Sequence, residues 1–367
     1  MKIYCSRNDI NKALANVSHS VPVRSTSNIL EGILVEVSDS IMKLTATDTN
    51  MTIESSIAVQ CNEDCSFVVP AKLFSAIVNK LPEEEIMINY DPSSVKIMIK
   101  CGGSNSELIC FRADEFPKLY IDDGIDPIFL SKEDVKKLIR KTAFSASTDD
   151  FNGILTGVLL EIKEGKMKMV GVDPYRIATY SIDADNKREM SVVIPAKLIN
   201  ETAKIISDEG DDQMSFEIAE GKAVMKFDNN KVIINTFSGK FIDYGRILNK
   251  QGDINVRVKR NDILKSTERA SLLASAQNNN LIRFDIEKDI IVIKSLNEEG
   301  NIEEKVEVIN DGESLNIGLN SKYLKDALSV IEDEEIIMNF KDSISPCVIK
   351  PLKGEKYSYL ILPIRMN

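Results

Sequence analysis

No stretch of this chain approaches the roughly 20 consecutive apolar residues that a bilayer-spanning helix needs. The opening Met1-Lys2-Ile3-Tyr4 also lacks the apolar run and small-residue cleavage site of a signal peptide. A cytoplasmic protein with no membrane partner is therefore expected. Histidine occurs once, as His19, too few for a histidine-built metal cluster. The six cysteines, Cys5, Cys61, Cys65, Cys101, Cys110 and Cys347, follow no framework spacing, so reduced thiols are the natural reading. Cys61 and Cys65 stand close together, yet no second pair of matching spacing supplies the other two ligands of a zinc site. Cys101 and Cys110 flank a Gly-Gly turn and read as two buried small hydrophobes, or as facing each other across a hairpin. A Walker loop, a GxGxxG turn, an HExxH helix and any nucleophile–base constellation are also missing. No catalytic residue, metal or cofactor is expected.

What is present is an internal repeat. Val69-Pro70-Ala71-Lys72-Leu73 returns 125 residues later as Ile194-Pro195-Ala196-Lys197-Leu198. At the same offset Leu30-Glu31-Gly32 returns as Leu155-Thr156-Gly157, Asp48 as Asp173 and Phe116 as Phe241. A more diverged third copy carries Asn320-Ser321-Lys322-Tyr323-Leu324 where the second has Pro195-Ala196-Lys197-Leu198, and Asp333–Met338 echoes Glu83–Ile88. Helix starts agree at Asn8-Asp9-Ile10, Glu133-Asp134-Val135 and Asn261-Asp262-Ile263. The 367 residues therefore divide into three domains of ordinary size, 1–123, 124–250 and 251–367, with boundaries near Asp122–Asp126 and Lys250–Asp253.

Each copy has the same grammar. An amphipathic helix opens it, such as 131–145 with Ser131 as N-cap. Alternating strands follow, such as Ile33–Val37 and Ile41–Ala46. A second helix starts at the Pro-Ala-Lys site, with proline as its first residue, and strands such as Ser94–Cys101 and Glu107–Arg112 close the copy. The fold class is α+β, with six helices and many antiparallel strands. Asp48 and Asp173 recur with the repeat, which points to a turn or capping role rather than catalysis.

The net charge of −11 argues at first against a nucleic-acid partner, but binding depends on where the basic groups sit. The predicted helices 6–18, 70–81, 131–145, 195–207, 260–274 and 321–331 together carry 16 basic and 7 acidic residues, a net +9, against −20 for the remainder. The charge also segregates by helix face. Val135, Leu138, Ile139 and Thr142 form an inward stripe, leaving Lys136, Lys137, Arg140 and Lys141 outward. Leu73, Phe74, Ile77 and Val78 likewise go inward, leaving Lys72 and Lys80 outward, and Leu198, Ile199 and Ile206 oppose Lys197 and Lys204. Lys265 and Arg269 belong to the same basic set. Lysines on one solvated helix face are ordinary. Repeated over six helices with an acidic remainder, they point to sequence-independent attraction of a phosphate backbone.

The chain resembles the bacterial DNA polymerase III beta subunit family, the sliding clamps, along essentially its whole length. The matching stretches include Arg24-Ser25-Thr26, Asn28–Ile33, Leu44–Asp48, Val69–Lys72, Phe116–Leu119, Leu155–Val158, Val172–Arg176, Phe241–Tyr244 and Leu362–Met366. Their order, their spacing and the three-copy plan make the match specific. The resemblance implies three tandem copies of the clamp fold and a head-to-tail homodimeric ring around double-stranded DNA, with helices lining the hole and antiparallel sheets outside. The implied partners are the polymerase III alpha subunit, the clamp loader and other proteins with a clamp-binding motif. Arg24 matches a DNA-contacting arginine, and the loop Thr148–Asn152 is DNA-proximal in the family but here carries two acids. The subunit interface would use strands near Val95–Cys110, with Leu108, and near Asp289–Val308, with Leu272 and Leu273. The partner-peptide groove carries over to Leu155, Val172, Pro174, Tyr175, Arg176, Ile177, Ile242, Ile247, Tyr323, Ile344, Pro346, Leu360, Leu362, Pro363, Ile364, Arg365 and Met366. Val172 replaces the usual Thr, Pro174 and Tyr175 replace Gly or Ser and His, and Ile242 replaces Pro. Asn152-Gly153 stands where Arg-Pro or Arg-Tyr is frequent, so an apolar groove with a shifted peptide preference is expected. Two other readings compete: an enzyme, disfavoured by the missing constellations, and a three-domain interaction scaffold that never encircles DNA.

Overall fold

Ser6 ends the first strand and caps the first helix, its side chain accepting the amide of Asp9, while Ile10, Ala13, Leu14 and Val17 recur at helical spacing and are buried. The computed structural model describes every residue except 83, 118–126, 185–188, 220, 250–251, 275–279 and 367. The predicted boundary Asp122–Asp126 and the start of the one at Lys250 lie outside the described residues.

The first copy runs β1 (Lys2–Ser6), α1 (Arg7–Ser18), β2 (Gly32–Ser38), β3 (Ile41–Thr47), β4 (Met51–Ala58), β5 (Gln60–Cys61), β6 (Cys65–Pro70), α2 (Ala71–Lys80), β7 (Glu85–Asp91), β8 (Lys96–Cys101), β9 (Ser104–Ile109) and β10 (Phe111–Arg112). The second runs β11 (Ile128–Ser131), α3 (Lys132–Thr142), β12 (Gly157–Lys163), β13 (Lys166–Asp173), β14 (Arg176–Asp183), β15 (Met190–Pro195), α4 (Ala196–Ile205), β16 (Gln213–Ala219), β17 (Lys222–Phe227), β18 (Asn230–Asn235) and the short α5 (Tyr244–Leu248). The third runs β19 (Ile254–Lys259), α6 (Arg260–Ala270), β20 (Leu281–Ile286), β21 (Ile290–Asn297), β22 (Gly300–Asn310), β23 (Leu315–Asn320), α7 (Ser321–Val330), β24 (Glu335–Phe340), β25 (Cys347–Pro351) and β26 (Tyr357–Ile361).

All described strand pairings are antiparallel. The chain divides into two compact units, 1–133 with 201–236, and 134–200 with 237–367. In the first unit one sheet has the order β5-β1-β7-β8-β9 and another the order β10-β6-β2-β3-β4-β18-β17-β16-β11. In the second unit the order is β15-β12-β13-β14-β26-β25-β24-β19-β22-β21-β20-β23. The division cuts through the middle copy because its strands join two ladders: β18 pairs with β4, and β14 pairs with β26.

One turn recurs at the same place in every copy. Asp48 Oδ1 accepts the amides of Asn50 and Met51, and Asp173 Oδ1 those of Tyr175 and Arg176. In the third copy Asn297 Oδ1 accepts those of Glu299 and Gly300. The expected turn role of the repeated aspartate is what the first two copies contain, and asparagine serves in the third because only the side-chain oxygen is used.

Several local expectations need correction. Pro70 sits at the N-cap as the last residue of its strand rather than as the first of the helix. Leu73 is 51% exposed, not inward, because α2 spans only ten residues and Ala71, Phe74 and Val78 make its buried face. The strand expected over Ser94–Cys101 begins at Lys96, since Val95 adopts a left-handed turn conformation with φ 52°. The strand expected over Glu107–Arg112 is broken at Cys110 into two. Cys101 pairs with Ser104 beside the turn while Ile109 pairs with Lys96 at the far end of the hairpin, so the two buried cysteines do not face each other. A seventh α-helix, α5, is too short to carry the periodicity by which the other six were read.

Candidate functional site

An apolar cluster in the second unit underlies the expected groove. Leu159, Val170, Val172, Ile177, Val193, Phe241, Val348 and Leu360 are buried in it, with Leu155, Ile242 and Tyr244 packed against it half-buried. Val172 and Ile177 come from facing strands and pair directly across the ladder. Tyr244 opens α5 and donates its phenol to Glu161 at 2.5 Å, and burial together with that carboxylate pushes its pKa up. Above this floor Tyr175, Ile247, Ile344, Leu362 and Met366 remain exposed despite their size. Large apolar side chains left exposed in this way are the kind of feature that docking surfaces use.

Arg176 organises one wall. Its Nε donates to Asp173 at 2.8 Å, Nη1 to Asp326 on α7 at 2.6 Å, and Nη2 to the carbonyl of Phe144 at 2.7 Å. The guanidinium also lies 4.5 Å from the centre of the Tyr323 ring, and Tyr323 in turn stacks on Tyr175 at 6.2 Å. With all three guanidinium nitrogens bonded and an exposure of 11%, Arg176 positions the wall rather than offering a free charge.

The chain end runs beside this wall. The Leu362 amide donates to the carbonyl of Tyr175, and the Ile364 amide to that of Gly318. A Cβ at Gly318 would stand 2.7 Å from the Ile364 carbonyl oxygen, so glycine is what lets the tail cross here. Pro346, Pro363 and Ile364 are half-buried, while Pro174 and Arg365 are exposed. All seventeen expected groove residues lie in the second unit. Sequence reasoning missed Asp326, Phe144 and Gly318, because no local pattern links positions so far apart in the chain.

The basic set is less uniform than expected. Arg24, Lys72, Lys80, Lys197 and Lys265 are exposed, and Lys136 and Lys137 partly so. Lys204 pairs with Glu201 at 2.7 Å and Arg269 with Glu304 at 2.5 Å. Arg140 pairs with Glu332. Lys141 contradicts the expectation. It is buried, pairs with Glu332 at 3.1 Å and lies 4.9 Å from the Tyr180 ring centre. Desolvation lowers its pKa, so its charge is an internal one. The loop at 148–152 exposes Asp149, Asp150 and, fully, Phe151, whose amide is capped by Asp149.

Among the strand edges left unpaired in the described residues are β9, bonded only to β8, and the Gly300–Glu307 part of β22, bonded only to β21. Leu108 packs inward at 6% exposure, so its own side chain belongs to the domain core, and Ile109 beside it is 70% exposed. Leu272, just past α6, is 78% exposed, and Leu273 is half-buried. No helix of the described residues is long and apolar enough to cross a membrane.

A threefold repeat of paired helices and antiparallel strands, with a buried apolar cluster beneath exposed apolar side chains, defines a clamp-type binding protein. The family models of the DNA polymerase III beta subunit match its N-terminal domain at residues 1–120, its central domain at 129–243 and its C-terminal domain at 245–365. The Beta sliding clamp of Staphylococcus aureus strain Mu50 is 30% identical over 357 residues, covering 94% of each chain. That of Synechococcus elongatus is 27% identical, covering 100% of each chain. The solved sliding clamp of Bacillus subtilis superposes with a TM-score of 0.96 at 29% identity and full coverage of both chains. The chain belongs to the DNA polymerase III beta subunit family. It is a non-catalytic processivity factor of DNA polymerase in DNA replication, with DNA and clamp-binding proteins as its partners.

Proposed function

We propose that two copies of this chain close head to tail into a ring around double-stranded DNA in the cytoplasm. The three copies, bounded as 1–123, 124–250 and 251–367, give six domains per ring. The exposed Arg24, Lys72, Lys80, Lys197 and Lys265, with Lys136 and Lys137, face the phosphate backbone and hold it without reading bases. A closed ring needs no tight contact, because escape is blocked by topology. The groove walled by Arg176, Tyr323 and the Leu362–Met366 tail takes short linear segments of the polymerase III alpha subunit, the clamp loader and other clamp-binding proteins. Pro174 and Tyr175 at its rim set the preference among them.

The observation that carries the ring is that each unit leaves such an edge unpaired, β9 in the first and the Gly300–Glu307 part of β22 in the second. An unpaired edge is a template for another strand. After loading by a clamp loader, the protein is expected to stay on nicked circular DNA and leave when the circle is cut. Equal retention on both forms would make it a scaffold that never encircles DNA. For the groove, Leu362→Ala should abolish binding of an alpha-subunit segment while the dimer persists.

A further inference from the structure

Asn152 is the only asparagine in the chain that a glycine follows. At such a pair no side chain shields the following backbone nitrogen, which can then attack the asparagine side-chain carbon. We propose that Asn152-Gly153 is a self-modification site beside the groove, where Asn152 loses its side-chain amide at a rate that Ser147 restrains. The site stands on its own residues, and only its effect on binding rests on the groove reading.

The reaction consumes water and no other reagent. The Gly153 nitrogen bonds to Asn152 Cγ, the bond from Cγ to Nδ2 breaks, and Nδ2 leaves as ammonia with the proton that Gly153 gave up. A five-membered imide then joins the two residues. Water opens it at either carbonyl, leaving an aspartyl residue or an isoaspartyl linkage that runs through the side chain. Nothing is oxidised or reduced.

The local geometry gives this pair room to react. Gly153 is exposed and breaks the short 3-10 stretch Asp150–Thr156 with φ 51° and ψ −117°, a conformation that glycine adopts at little cost. A Cβ at Gly153 would have nothing within 4 Å, so the backbone there turns without displacing packed atoms. Asn152 is the restrained partner. It is half-buried, its Nδ2 donates to Ser147 Oγ at 2.8 Å, and its backbone amide donates to the Asp149 carbonyl at 3.0 Å. The bond to Ser147 holds the side chain that must turn for the attack.

The products act on the groove through the chain. Ile154 and Leu155 come next and pack against the apolar cluster beneath it. The Leu155 carbonyl accepts the amide of buried Ser147 at 2.9 Å, which closes the loop at its neck. An isoaspartyl linkage inserts an extra backbone carbon just before these two residues. An aspartyl residue instead adds a carboxylate beside the exposed Asp149 and Asp150.

The test ages the full chain at mildly alkaline pH. It follows each asparagine-containing peptide by mass and by isoaspartyl-specific methyl labelling, beside binding of a peptide copied from the alpha-subunit segment. Asn152 should convert faster than any other asparagine, and peptide affinity should fall in proportion to the converted fraction. Asn152→Gln should keep its own fresh affinity, because the longer side chain forms the larger imide slowly. Ser147→Ala should speed conversion roughly fivefold, the factor for one hydrogen bond of ordinary net strength. Conversion at Asn152 no faster than elsewhere, in wild type and Ser147→Ala alike, overturns the site, and an unchanged rate in Ser147→Ala overturns the restraint. Conversion that leaves the affinity of a binding-competent protein unchanged overturns the link to the groove. Fresh protein that does not bind the peptide overturns the groove reading, while the masses still decide the site.

Discussion

Arg176 shows how much one side chain decides. Two carboxylates, one backbone carbonyl and two aromatic rings converge on it, joining the β13–β14 turn to α7. Removing the guanidinium strands Asp173, which is only 11% exposed, beside Asp326. Arg176→Met is expected to lower unfolding stability by about 3 kcal/mol, measured from the urea midpoint, because it leaves nearby carboxylates unpaired. Arg176→Lys should recover only part of this, since an ammonium cannot match the planar fork. An unchanged midpoint in both variants would make the network ornamental. The sequence pointed to Arg176 as a groove residue through its resemblance, and to Asp173 through the repeat. It carried no sign of Asp326, whose partnership is a product of folding.

At the scale of elements, helix faces were legible where the stripe was strong and misleading where a long cation lies along an edge. Val135, Leu138 and Ile139 are buried as the spacing requires. Lys141 shares their turn and follows them inward, compensated by Glu332 from beyond α7. The consequence is a split among lysines that look alike in sequence. Lys72→Ala, Lys197→Ala and Lys265→Ala together should weaken DNA contact and flatten its salt dependence with little change in melting temperature. Lys141→Ala should do the reverse, costing stability and leaving the salt slope intact. Salt titrations of DNA binding beside thermal melts separate the two sets, and a salt slope changed by Lys141→Ala would return that lysine to the DNA-facing group. Strands were legible from alternation, but breaks such as Val95 and Cys110 were not, because a turn and its bulge depend on the partner strand.

The whole molecule carries an acidic remainder that is partly neutralised by pairing, and this sets its response to acid. Arg269 holds Glu304 below the ordinary carboxylate value, and Arg257 does the same for Glu335. At Glu201 and Glu332 burial pushes upward but is outweighed, by Lys204 and His19 in one case and Lys141 and Arg140 in the other. Each of these glutamates binds its proton more weakly folded than unfolded. The stability they contribute is therefore present above the unfolded value of 4.5 and is lost as pH falls below it, through their depressed folded values. Melting temperature should be nearly flat from pH 7 to about 5 and decline steeply below about 4.5. A decline beginning near neutrality would implicate other groups.

The sequence by itself determined the three copies, the α+β class, the recurring turn and the partition of charge between helices and the rest. These depend on local spacing and composition, which a linear chain records directly. Only the tertiary structure decided that Lys141 turns inward, that Arg176 is shared between two carboxylates, and that the tail crosses Gly318. It also decided which strand edges stay open. Those outcomes depend on packing and on ladder pairing between segments distant in the chain, where desolvation and register, not local preference, choose the partner.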